Sequence, residues 1–312
     1  MSISCEVTSA LIDLALREDV GENLQTGDVT SVYFVPQDSI SSAYIYAKQD
    51  GVLAGMEVAA EVFHRVNPEL KVVQLKKDGD VLLRGERVLE VSGHARSILT
   101  AERTALNFLQ RLSGVATQTR AYVAKVETTN AKVLDTRKTT PGWRALEKMA
   151  VVAGGGKNHR MGLYDRAMVK DNHLVAENQL DALQNAIDRL HAERAGVEVE
   201  LEADTLEQVQ GFLSLRGVDY ILLDNMNNEM IRKAVAMRDA VAMRDAVAMR
   251  DAVAMRDAVA MRDDSGSAVA LEASGGINLD TIADVAATGV DFISVGALTH
   301  SAVALDLSLE FE

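Results

Sequence analysis

The 312-residue chain has one cysteine, Cys5. A single thiol cannot form an internal disulfide, and it suits a reducing compartment such as the cytoplasm. No apolar run approaches the ~18 residues that mark a candidate membrane-spanning helix. The opening stretch MSISCEVTSALIDLALRED lacks a basic start, so it reads as an amphipathic helix and not a signal peptide. Basic charge is also scarce: 32 Lys and Arg stand against 46 Asp and Glu, a net charge of −14. That balance excludes general binding to nucleic acid or to an anionic membrane. No GxGxxG follows the first strand of the βα region, no His/Cys set has zinc spacing, and no Ser-His-Asp elbow is evident. What remains is a chain 48% hydrophobic, long enough for one large domain or two smaller ones.

The first ~115 residues mix elements. The spacing predicts a helix over 7–18 and strands at 42–47, 71–75 and 87–91. ILTAERTALNFLQRLSGVATQTRAYVAKV reads as one long helix, or as two around Gly114. After about residue 130, short apolar runs alternate with helical stretches. The runs are KVLDT (132–136), RAMVKD (166–171), VEVEL (197–201), YILLD (220–224), VALEA (269–273) and FISVG (292–296). This pitch means βα units and a parallel sheet. Their polar ends are Asp135/Arg137/Lys138, Lys170/Asp171/Asn172, Glu200/Glu202, Asp224/Asn225, Ser274/Gly275/Gly276 and Gly296. In a (β/α) barrel such ends share one face, where active sites are built. A doubly wound open sheet is the rival architecture.

Within this acidic chain, residues 136–173 reverse the charge. Eight cations (Arg137, Lys138, Arg144, Lys148, Lys157, Arg160, Arg166, Lys170) face three acids (Glu147, Asp165, Asp171), around the glycine run 154–156. Such a pocket suits a small anion better than a polymer. Arg137, Arg160 and Arg103 can grip carboxylates bidentately, while Lys138 and Lys170 act as compact charges. Lys148 and Arg166 read as ordinary members of a solvated, ion-paired face. Of the histidines His159, His173 and His300, His159 is the best functional candidate. Glu200 and Asp224, ending neighbouring strands, could hold Mg²⁺ through a bound phosphate or sugar; simple strand-end solvation is the plain alternative. Ser274-Gly275-Gly276, before a helix expected near Leu279, and Gly296 offer backbone donors to a phosphate; a plain turn is the alternative.

In order along the chain, GDVTS (27–31), ERTALNFLQRLSGVAT (102–117), DTRKTTPGWR (135–144), GGGKNHRMGLYD (154–165), MVKDNH (168–173), VEVE (197–200), ILLDNM (221–226), LEASGGI (271–277) and VGALTHS (295–301) resemble the nicotinate-nucleotide pyrophosphorylase family, the decarboxylating quinolinate phosphoribosyltransferases. The resemblance spans nearly the whole chain. It implies an α/β sandwich domain over 1–115 and an open α/β barrel of the TIM-like type over 116–312, with a C-terminal tail able to return to the first domain. It further implies a homodimer, and transfer of phosphoribose from phosphoribosyl pyrophosphate to quinolinate with Mg²⁺, giving nicotinate mononucleotide, pyrophosphate and CO₂. Carried over by motif, Arg137, His159, Arg160 and Lys170 hold the quinolinate carboxylates, and Arg103 reaches in from the partner subunit. Lys138 meets the pyrophosphate. Glu200 and Asp224 take ribose hydroxyls or metal. Ser274, Gly275, Gly276, Gly296 and His300 take the 5′-phosphate. Lys138, Lys170, Glu200 and Asp224 are the candidates nearest the reacting centre. A homologous transferase with another acceptor, a Schiff-base aldolase using Lys170, and a non-catalytic scaffold built on a hexapeptide repeat, against which the intact polar strand ends speak, are the alternatives.

One segment departs from the family pattern. AVAMRD is repeated five times without error at 234–263, where one copy would complete a helix. Ala, Met and Arg favour helix, but a six-residue period winds the methionines around three faces. Arg and Asp never fall three or four apart, so close ion-pair support is missing. Four surplus copies would lengthen a straight helix by ~36 Å, and the return segment DDSGSA spans only ~20 Å. The expectation is an outward excursion that folds back or frays, with any copy able to fill the native slot. A methionine-rich arm for a partner is the functional alternative.

Overall fold

The computed structural model describes residues 5–24, 26–170, 179–254 and 269–312, with the backbone alone at Cys5, at Gln179 and over 245–254. The chain divides into two compact units: Met1–Val123, Arg137–Asn158 and Gly296–Glu312 form one, Ala124–Thr136 and His159–Val295 the other.

In the first unit, strands β1 (Ile40–Ala47), β3 (Lys71–Gln74), β5 (Arg87–His94) and β12 (Leu307–Phe311) form an antiparallel sheet in the order β12-β1-β5-β3. Along β1, Ala43, Ile45 and Ala47 are buried at every second position, as a half-covered strand requires. A ribbon of β2 (Gly51–Val52) and β4 (Val81–Leu82) precedes and follows α3 (Met56–Val66), which buries Val58, Val62 and Phe63. Each such fully buried side chain contributes about 1.5–3 kcal/mol. Gly55, at φ 97°, turns the chain into α3, and the Asp78 carboxylate accepts from the Gly55 and Met56 amides.

Helices α1 (Cys5–Val20) and α2 (Val29–Phe34) come first in the chain. The long apolar stretch is one helix, α4 (Ala95–Val126), unbroken at Gly114. A Cβ there would lie 2.1 Å from the Val303 carbonyl oxygen, so the glycine serves a close backbone approach and not a break. The glycine run after α5 (Arg144–Ala153) has a similar purpose. A Cβ on Gly154 would fall 2.4 Å from the Ala116 carbonyl oxygen, and one on Gly156 would fall 2.9 Å from Thr119. These glycines dock the end of α5 on α4.

In the second unit, β6 (Lys132–Leu134), β7 (Arg166–Val169), β8 (Glu198–Ala203), β9 (Tyr220–Asp224), β10 (Ala270–Ser274) and β11 (Phe292–Ser294) pair in parallel, in the order β6-β11-β10-β9-β8-β7. Consecutive strands β6 and β7 stand at opposite edges, the seam of an open (β/α) barrel. Helices α6 (Gln179–Glu193), α7 (Leu206–Phe212), α8 (Asn228–Ala254) and α9 (Ile282–Ala286) connect the strands. Leu201, Ile221, Leu223, Leu271, Ala273 and Ile293 are buried along one side of the strands. The register sets Glu200 and Glu202 of β8 beside Tyr220 and Leu222 of β9, and Glu272 and Ser274 of β10 beside Leu222 and Asp224, so these share the other side.

The first copy of the repeat occupies the helix slot in α8. Ala234 is fully buried, Gly289 packs near Val235, and Arg238 pairs with Asp291 and its neighbour Asp239. In the second copy Ala240, Met243 and Arg244 are exposed, Met243 at 68%. The expected fold-back falls on residues 255–268, outside the described residues.

Candidate active site

The strand ends of the second unit carry two polar layers. The upper layer lies at the C-terminal ends. Lys170 follows β7 and is ion-paired with Glu202 of β8. Asp224 ends β9 and accepts 2.8 Å from the Asn225 side-chain amide. Ser274, opposite Asp224, ends β10, and its carbonyl accepts from the Asn225 amide at 2.9 Å. Asn225 is in the left-handed region at φ 53°. Gly275 follows at φ 101°, and a Cβ there would lie 2.1 Å from the Asn225 Oδ1. Gly276, at φ 61°, has open space around it. The loop thus presents backbone where any other residue would present a side chain. The helix expected near Leu279 begins only at Ile282, because Asn278 and Thr281 first close a turn.

The lower layer is sealed. Glu200 and Glu272 are both fully buried, and the His159 Nε2 lies 3.2 Å from Glu200 and 3.5 Å from Glu272. Arg166 stands 3.5 Å from Glu200, pairs with Glu198 at 2.7 Å and covers the Tyr220 ring at 3.9 Å. Burial first, then the Glu200 carboxylate, pushes the Glu272 carboxyl up to about 7, against the opposing pull of His159, the nearby Ser294 hydroxyl and Arg166. The His159 backbone amide is held by Asp135 at 2.9 Å.

Two expectations change here. Glu200 is not at a strand end: β8 runs to Ala203, so Glu200 lies mid-strand and Glu202 is the outer carboxylate. The signal was present in VEVELEA, where Glu198, Glu200 and Glu202 alternate on one face. Thr205 and Gln208 form a capping box that starts α7 just beyond the strand. Arg166 and Lys148 are not solvated either. Arg166 belongs to the lower layer, and Lys148 is 1% exposed within α5.

Three buried ligand-type groups, His159, Glu200 and Glu272, invite a test for metal. The Arg160 amide donates to His159 Nδ1 at 2.6 Å, so the neutral ring carries its hydrogen on Nε2, the nitrogen that faces the carboxylates. A metal-bound imidazole needs the reverse arrangement. The trio is a buried cluster in which His159 Nε2 faces both carboxylates, and its imidazole does not fit a metal. For Mg²⁺, Glu200 therefore does not fit, while Asp224, a half-exposed carboxylate at a strand end, does.

Arg160 lies half-buried, donating to the Arg166 carbonyl at 3.1 Å. His173, Asp171 and Asn172 lie outside the described residues. In the first unit, Lys138 and His300 converge on Gly296: a Cβ there would be 3.0 Å from the Lys138 Cδ and 3.2 Å from the His300 Nε2. Ser301 Oγ lies 2.7 Å from His300 Nδ1. Arg137 is exposed, with its carbonyl held by Arg144 at 3.3 Å. Arg103 is exposed on α4. Among the described residues, no helix is long and apolar enough to cross a membrane.

Comparison with known proteins agrees over most of the chain. Residues 28–113 match the N-terminal domain of Quinolinate phosphoribosyl transferase, and residues 115–310 match its C-terminal domain. A chloroplastic nicotinate-nucleotide pyrophosphorylase (carboxylating) of Arabidopsis thaliana is 40% identical over 97% of this chain and 82% of its own length. A probable enzyme of the same name from Bacillus subtilis is 38% identical, covering 96% and 92%. The solved nicotinate-nucleotide pyrophosphorylase of Francisella tularensis superposes with a TM-score of 0.82 at 34% identity, covering 98% of this chain and 96% of that one.

Proposed function

This chain belongs to the quinolinate phosphoribosyl transferase family, and from that premise we propose how its residues divide the work. The protein is a pentosyltransferase of de novo NAD biosynthesis. It joins quinolinate to phosphoribosyl pyrophosphate, releasing pyrophosphate and CO₂ and leaving nicotinate mononucleotide. The pyridine nitrogen attacks C1 of the ribose while the C1–pyrophosphate bond breaks. The C2–carboxylate bond then breaks, its electron pair stays at C2 beside the cationic ring nitrogen, and a proton takes the place of CO₂. No protein nucleophile is needed, so the protein contributes position and charge.

The observation that carries the division of labour is the upper layer, Lys170–Glu202, Asp224 and Ser274, at the ends of β7 to β10. We place Lys170, Arg137 and Arg160 at the quinolinate carboxylates. Lys138 goes to the departing pyrophosphate. Ser274, Gly275, Gly276, Gly296 and His300 go to the 5′-phosphate. The ribose hydroxyls fall to Asp224 and to Glu202, which takes the role expected of Glu200. His159, with its ring turned to the lower layer, supports Arg160 from below and does not touch substrate. Mg²⁺, bound mainly by the phosphates of the sugar substrate and by Asp224, would neutralise the charge of the leaving pyrophosphate. We also propose a cytoplasmic homodimer in which an exposed Arg103 completes the partner's site.

The test is formation of nicotinate mononucleotide from the two substrates, read by mass, with and without Mg²⁺. Product with CO₂ is expected. Product only with a different acceptor would overturn the assignment to quinolinate. Mixing Arg103→Ala with Lys138→Ala chains should restore activity if sites are shared between protomers, and no recovery would rule that sharing out.

A further inference from the structure

The loop after β6 carries Arg137 and Lys138, and the segment after β11 carries Gly296 and His300. A closed ring of contacts ties these two stretches together. The buried Thr299 hydroxyl donates to the Lys138 carbonyl at 2.8 Å. The Thr299 carbonyl accepts from Arg111 Nη2 of α4 at 2.5 Å, and Arg111 Nη1 donates to the Ala302 carbonyl at 2.8 Å. The same Nη2 reaches Glu147 of α5 at 2.7 Å. Glu147 is fully buried and accepts from the Thr140 amide at 3.0 Å and its hydroxyl at 2.8 Å. From Thr140 the backbone returns to Lys138, and the ring is complete. Stacking of Trp143 on Phe108, at 4.7 Å, anchors the same loop where α5 begins.

We propose that Arg111, Glu147 and Thr299 form a brace that sets the spacing of Lys138 from Gly296 and His300, and so act as positioning residues for the phosphate groups of the sugar substrate. The inference rests on the assignment of those three groups to phosphates. The chemistry favours it in two ways. Charge-assisted bonds to a buried carboxylate are the strong kind, and the guanidinium fork fixes direction as well as distance. The ring ties the helix residues Arg111 and Glu147 to Thr140 and to the Lys138 and Ala302 carbonyls outside the helices, so part of its contacts fix loop geometry. Neither bracing helix residue faces the reaction itself.

The experiment compares Thr299→Val, Thr299→Ser and Arg111→Lys with the unaltered protein, varying each substrate in turn. Thermal unfolding and calorimetric binding of inorganic pyrophosphate are followed in parallel. Thr299→Val keeps the shape and removes one donor. It should raise KM for phosphoribosyl pyrophosphate and weaken pyrophosphate binding, each roughly three- to tenfold, with KM for quinolinate nearly unmoved. Thr299→Ser should restore both. Arg111→Lys, which cannot span three acceptors, should follow Thr299→Val with a larger effect, and it carries the test if Thr299→Val does not fold. A fall in melting temperature without a change in either readout would reduce the brace to a structural role, and an equal rise in both KM values would also overturn it. If the unaltered protein makes no nicotinate mononucleotide, the assigned reaction fails. The pyrophosphate titrations still decide the brace.

Discussion

Two polar layers sit on the same strands, one residue pair apart, and chemistry separates them. Glu200 and Glu202 share β8 and face the same way. Glu202, at the outer end, meets Lys170. Glu200, one step deeper, is sealed with His159, Glu272 and Arg166. The same residue type serves, at 9% exposure, as the partner of the half-exposed Lys170 and, one step deeper, as part of a fully buried cluster. Height along a barrel strand decides which, because burial penalises charge and forces neighbours to share protons or pair. The lower layer offers two buried carboxylates beside one guanidinium and one imidazole. Burial and then the Glu200 carboxylate favour a proton on the Glu272 carboxyl, whose two oxygens lack a well-formed hydrogen bond among the described residues.

The comparison breaks most easily at its top. Glu202→Ala and Lys170→Ala should each lower kcat/KM by about a hundredfold or more, equivalent to about 3 kcal/mol of transition-state stabilisation, with only a modest change in unfolding. Losses under tenfold in steady-state assays would erase the line between the layers. Gly275→Ala should come next. Its Cβ would collide with Asn225 in a backbone conformation that disfavours alanine, so chemical denaturation should register a destabilisation of about 2 kcal/mol with weakened binding of the sugar substrate.

The lower layer should respond to pH instead. Glu272 has a folded pKa of about 7, above its ordinary 4.5. The folded state therefore holds an extra proton between those values. Its stabilising contribution is complete below the unfolded value and is lost as pH rises through about 7. From pH 5 to pH 8 the unaltered protein should lose on the order of 2 kcal/mol relative to Glu272→Gln. Parallel stability profiles would show that the cluster holds no such proton. The smallest effect belongs to a charged segment in neither layer. Removing the four later AVAMRD copies should change activity less than about twofold, since Ala234 and Arg238 of the first copy already make the contacts to the unit. A large loss in the same assay would mean that the arm bears on the barrel after all.

The architecture was legible because each apolar run of the second half ended in a polar residue, and all six runs became strands. The depth of a carboxylate was not. It depends on where β8 stops: the apolar pattern alone ends that strand at 201 and makes Glu200 its terminal carboxylate, whereas β8 runs to Ala203. The purpose of the glycine run 154–156 was also hidden, since its partners Ala116 and Thr119 lie on α4, far back in the chain. The repeat makes the point most directly: Ala234 of the first copy is fully buried and Arg238 is ion-paired with Asp291, while the identical Ala240 and Met243 of the second copy are exposed. The tail's return to the first domain was an expectation of the family resemblance, but nothing in LSLEF, which lacks a flanking turn signal, marked it as the strand β12.

That last strand bears on how the chain comes to be folded at all. β12 completes the free edge of β1, and Lys48 meets Glu310 across 262 positions of sequence. During synthesis β1 can pair with β5 early, while its other edge waits, with open amides and carbonyls, for a segment made long afterwards. An edge left open for most of translation is a place where another chain can add itself. In the barrel, by contrast, β7 to β10 each pair with the next strand along the chain, and β6 waits for β11, which precedes β12. The first unit should thus be the last to finish and the first to demand a chaperone.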